Sequence, residues 1–101
     1  MCYTPILEDK RVDDYQIIES ALKHGITEQE IHSVISHLNR TRRIYEMHDD
    51  ADGNAQDMFV AHTGTRPWPI EVAVSYRPDQ DVVFHADKVT PEFEKLYEAE
   101  P

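Results

Sequence analysis

The stretch from Lys23 to Leu38, KHGITEQEIHSVISHL, constrains this chain more than any other, because it stops one element and launches the next within a few residues. Gly25 can take the left-handed backbone conformation that closes a helix, since it has no Cβ to clash. Thr27 and Glu30 carry the spacing of a capping box, in which each side chain satisfies a backbone N–H of the other. Ile31, Val34, Ile35 and Leu38 then follow at i, i+3, i+4 and i+7, one apolar stripe. The spacing predicts a helix from about Glu28 to about Asn39.

Upstream, Asp13 and Asp14 suit a helix N-terminus, and Tyr15, Ile18, Ala21 and Leu22 read as a stripe with Ile17 flanking. Lys23 and His24 fall where cations complement the end of a helix dipole. A first helix ending near His24 is therefore expected. Residues 1–12 show no period and read as an N-terminal arm or short edge strand, with Pro5 arguing against a central strand. Residues 13–101 then form a single domain.

Past Asn39 the apolar period becomes two. Thr41–His48 reads as a strand with Tyr45 and Met47 inward, and Asp57–Thr63, Ile70–Tyr76 and Asp81–Ala86 as three more. The acid-rich segment Asp49–Asp57 and the Arg77–Gln80 sequence are turns between them. Thr90 caps a last helix with Pro91 at its first position and Phe93, Leu96 and Tyr97 inward. The expected fold is α+β: two N-terminal helices, a four-stranded, mostly antiparallel meander and a C-terminal helix, with the helices mainly on one face of the sheet.

Twenty acidic residues against ten basic ones leave a formal charge of -10, which opposes loose attraction to nucleic acid or anionic membrane. Cys2 is the only cysteine, so no internal disulfide can form, and no apolar run is long enough to span a bilayer. The N-terminal charges follow a short apolar patch, the reverse of a secretory signal, and a cytoplasmic protein is expected.

The chain has no glycine-rich phosphate loop, CxxC pair, HExxH or nucleophile elbow, so neither a cofactor nor a metal is expected. His48 lies beside several acids, but without the spacing of a calcium loop. His62 and His85 each come late in a strand. They suit either general acid–base work or half-buried, hydrogen-bonded positions. Arg40, Arg42 and Arg43 form a basic cluster that either contacts phosphate or complements the end of a helix. Trp68, between two prolines, is either a core anchor or a binding aromatic.

The Lys23-His24-Gly25-Ile26 helix stop, the capped helix after it, the alternation of Ile70–Tyr76 and the late strand Val82–Ala86 together resemble the BrnT-like toxins of bacterial type II toxin–antitoxin systems, which have a RelE-like fold. The resemblance spans roughly residues 15–97. It implies a metal-independent endoribonuclease acting on mRNA, held in check by a cognate antitoxin protein. It assigns Lys23, His24 and His85 as catalytic and Arg43 and Arg66 as RNA-binding. The late strand departs from the family pattern by reading FHADK, and the net charge is acidic where such toxins are basic. The alternative reading is a non-catalytic acidic interaction module that binds a basic protein partner.

Overall fold

Alternation along Ile70–Tyr76 makes a strand with two different faces, and in the structure, a computed structural model that describes residues 14–99, it is the middle strand of a five-stranded sheet. In chain order the elements are β1 (Tyr15–Ile17), a 3-10 turn (Glu19–Ala21), α1 (Glu28–Ile35), β2 (Arg43–Glu46), β3 (Ala55–Ala61), β4 (Ile70–Tyr76), β5 (Asp81–Lys88) and α2 (Pro91–Ala99). The sheet order is β1-β5-β4-β3-β2. Strands β2 to β5 pair antiparallel, as short connections require. The N-terminal arm expected over residues 1–12 lies outside the described residues. Among the described residues, no helix is long and apolar enough to cross a membrane.

The expected first helix does not form. Tyr15–Ile17 is instead a strand that runs parallel to β5, with Tyr15 opposite Asp81 and Ile17 opposite Val83. A single 3-10 turn follows over Glu19–Ala21. The segment before Gly25 spans too few turns to repay helix nucleation, and its β-branched isoleucines fit a pleated surface. The open edge of β5 supplies hydrogen-bond partners that no isolated helix offers. The result is a mixed sheet rather than a four-stranded meander alone.

The helices also divide between the faces. Ile31, Val34 and Ile35 of α1 bury against Ile44, Phe59, Ala61, Ile70, Val72 and Val74. Phe93 of α2 packs on the opposite face with Tyr45, Met58, Val60 and Ala73, flanked by Leu96 and Tyr97. Covering both faces explains why Ile44 and Tyr45, adjacent in β2, are both buried. The expectation of helices mainly on one face is thus corrected: each face carries one helix.

The capping box forms as the spacing requires. Glu30 N–H donates to Thr27 Oγ1 at 3.1 Å, and Thr27 N–H donates to Glu30 Oε1 at 3.0 Å. Helix α1 ends at Ile35 rather than near Asn39, because Ser36 leaves the helical region at ψ 130. Leu38 therefore falls off the apolar stripe and is 77% exposed.

Candidate active site at the edge of β5

Beyond β1 the chain follows the edge of β5, where the Ser20 hydroxyl donates to the Phe84 carbonyl at 2.7 Å. Gly25, at φ 81, then turns the chain towards α1. This path carries His24 to His85, with ring centroids 5.9 Å apart and the planes at 70°. His24 Nδ1 also lies 3.8 Å from Asp87 Oδ2. On β5 the pairing register with β4 shifts between Ala73–His85 and Val74–Val83, which leaves Phe84 as an extra, bulged residue. Bulges re-aim side chains, and here His85 emerges opposite Ala73 on the α2 side.

His85 is held from behind. Its Nε2 lies 2.7 Å from Oε2 of Glu71, a carboxylate only 2% exposed. The other oxygen of Glu71 accepts the Thr90 backbone N–H at 2.7 Å and the Thr90 hydroxyl at 2.8 Å. Burial pushes the Glu71 carboxyl up, but the hydrogen bonds from His85 and Thr90 outweigh it and hold the group below the ordinary glutamate range. An ionised carboxylate can only accept, so Nε2 of His85 carries the proton. In the neutral ring, Nδ1 is then the atom with a lone pair. A buried carboxylate in this position fixes the tautomer and orientation of a histidine ring, the geometry that acid–base chemistry requires.

The remaining residues singled out in the sequence are distributed unevenly around this pair. Lys23 is exposed in the turn just before His24. Arg66 donates to the Gly25 carbonyl at 3.0 Å, so it stands at the same turn, but its guanidinium is engaged by Glu30. Nε reaches Oε2 at 2.8 Å and Nη2 reaches Oε1 at 3.0 Å, a bidentate pair with a carboxylate 5% exposed. Arg66 thereby ties the loop before β4 to the start of α1. Arg43 lies on β2, across β3 and β4 from His85, and donates to the Arg42 carbonyl. Arg42 reaches the Ile35 carbonyl at 2.7 Å and lies over the Phe59 ring, so this member of the basic cluster is tied into the end of α1. His62 sits beyond β3 with its ring edge-on to Tyr97, 5.7 Å away, and does not join His85.

Glu71, Asp87 and Thr90 had no place in the sequence reading of the site. A signal for Glu71 exists in retrospect: it is an acid within the most regular apolar strand, one strand away from a histidine. Only register could pair them. The Asp50 turn expected before β3 is closed internally, with Asp50 accepting from the Asp52 and Asn54 backbone N–H groups at 2.9 Å. Among the described residues, no group of three or more His, Cys, Asp or Glu side chains is disposed to hold a metal ion. A groove along α1, closed by Thr63, Thr65 and the Arg66–Glu30 pair, includes neither histidine in its lining. What the β5 edge offers is two imidazoles close enough to serve one reacting group, one of them buttressed by a buried carboxylate. Comparisons with protein-family models, curated proteins and solved structures gave no match to this chain.

Proposed function

We propose that the protein is a toxin-like, metal-independent endoribonuclease that cleaves single-stranded RNA at the β5 edge. The observation that carries this reading is the approach of His24 to His85, with Glu71 behind it. His85 Nδ1 takes the proton of a ribose 2′-hydroxyl while the ribose oxygen attacks the adjacent phosphorus. The bond to the 5′-oxygen breaks, and His24 in its protonated form supplies that oxygen with a proton. The products are a 2′,3′-cyclic phosphate and a 5′-hydroxyl. Such acid–base assistance contributes about 10²- to 10⁴-fold per group. Lys23 adds positive charge beside the phosphate. A cytoplasmic location and restraint by a cognate antitoxin belong to the same reading.

The test is incubation of the purified protein with a single-stranded RNA in the presence of a chelator. Cyclic-phosphate ends are expected, and His85→Ala and His24→Ala should abolish them, the exposed His24→Ala without lowering the melting temperature. Intact RNA at micromolar protein in low salt would sink the proposal. Growth arrest on overexpression, relieved by the adjacent open reading frame, tests the antitoxin arm.

The charge of -10 favours a second reading, a non-catalytic module whose acidic surface meets a basic protein. Binding of a basic partner that weakens steeply with salt, with RNA left intact, would support it.

A further inference from the structure

Basic side chains gather near the Gly25 turn and the end of β5. Arg66 lies over one part of the Trp68 ring, with its guanidinium carbon 5.3 Å from the centroid, and Lys88 Nζ lies 5.7 Å from the same centroid. Arg66 also touches Gly25, and Asp87, next to Lys88, touches His24. Lys23, His24, Arg66 and Lys88 therefore surround one turn of an otherwise acidic protein. Their charges are not equivalent. Arg66 is matched by Glu30, whereas the Lys88 ammonium has no carboxylate within ion-pair distance among the described residues. The Lys88 ammonium lies over the indole ring on an exposed residue, so it stays open to a further anionic contact.

We infer that Lys88, seated on Trp68, is an anchoring site for a phosphate of single-stranded nucleic acid, one that leads the strand across the β5 edge to His24 and His85. The inference rests on the ribonuclease reading for its ligand and deepens it by naming the subsite. Lys88 leaves β5 on the α1 side and Asp87 on the α2 side, so a strand bound at Lys88 must wrap the edge to reach the histidines. A point charge on a flexible stem suits a backbone contact of this kind, which positions a chain without reading its sequence.

Trp68 is the single tryptophan, so its fluorescence reports events at this patch alone. The probe is an oligothymidylate, which has phosphates but no 2′-hydroxyl and cannot be cleaved by the proposed chemistry. Titration into the native protein should change Trp68 emission. Lys88→Ala should weaken binding at least about fivefold and reduce the salt slope by about one. Lys95→Ala, on the exposed side of α2, should leave binding unchanged. No fluorescence change with the native protein, or equal weakening by both substitutions, overturns the inference. Because the probe reads binding and not cleavage, oligothymidylate binding that depends on Lys88 with RNA left intact would sink the ribonuclease reading alone.

Discussion

Glu30 is the residue whose charge the fold relies on most directly, and replacing it with glutamine tests that. The carboxylate accepts from Thr27 N–H at 3.0 Å, from the Thr65 hydroxyl at 2.6 Å and from two nitrogens of Arg66. The Arg66 guanidinium first, and the Thr27 and Thr65 hydrogen bonds after it, hold its pKa at about 2 instead of 4.5 against the upward push of burial. At about 1.4 kcal/mol per pH unit that displacement corresponds to about 3 kcal/mol, and solvent around Arg66, itself 32% exposed, reduces it to about 2 kcal/mol. Because the folded-state pKa is depressed, this stability is fully present above 4.5 and is lost as pH falls towards about 2. Glu30→Gln keeps the shape and one acceptor of the capping box but presents an amide donor to Arg66 or Thr65. Near neutrality it should lower the melting temperature by about 10 °C, since about 1 kcal/mol moves a domain of this size by 4–8 °C. Thermal melts of both proteins over a pH series supply the check. Their gap should close as the pH drops through the same window. A gap that stays constant down to the acid end of the folded range would refute the argument, as would a Glu30→Gln protein as stable as the native one near neutrality.

Glu71→Gln turns one of the two carboxylate oxygens into an amide donor, so the His85 ring N–H and the Thr90 N–H cannot both be accepted, and the proposed RNA cleavage should fall by about 100-fold, the scale of a general-base contribution. In that variant, nitrogen-15 NMR of His85 should show the Nε2-protonated tautomer losing its dominance, a readout that loss of stability alone would not give. Gly25→Ala should cost about 1 kcal/mol through its positive φ alone, because an added Cβ there meets nothing within 4 Å; urea denaturation measures it, and an unchanged midpoint would contradict it. Phe93→Ala should cost about 3–4 kcal/mol, since the ring is 5% exposed between α2 and the sheet. It should also loosen the Thr90 contact to Glu71, so hydrogen exchange at the Thr90 amide should accelerate beyond that of β3.

How much of this could be read from the chain differs by element. Gly25, Thr27 and Glu30 act on their own neighbours, so the helix stop and the capping box follow from spacing alone. The meander from β2 to β5 was legible for a similar reason, since short turns leave consecutive strands few ways to pair. The carboxylate of Glu30, by contrast, has a second role towards Arg66 that nothing local announces, because Arg66 arrives from the far end of β3. Arg66, read in the sequence as an RNA contact, is found first of all as the partner of that carboxylate.

What the sequence determined by itself, then, is everything set by hydrogen bonds and periodicity within a few residues: the Gly25 turn, the capped α1 and the alternating β4. What only the tertiary structure decided is the conformation of Tyr15–Ile17 and the company kept by His24 and His85. A short segment with both helical and strand character takes whichever form finds partners, and the open edge of β5 provided them. Once β1 lay on that edge, the chain had to run past Phe84 to reach α1. That path, together with the bulge in β5 and the register of β4, put Glu71, His85 and His24 side by side. Contacts between residues so far apart in the chain arise from strand register and the bulge, and no local period encodes either.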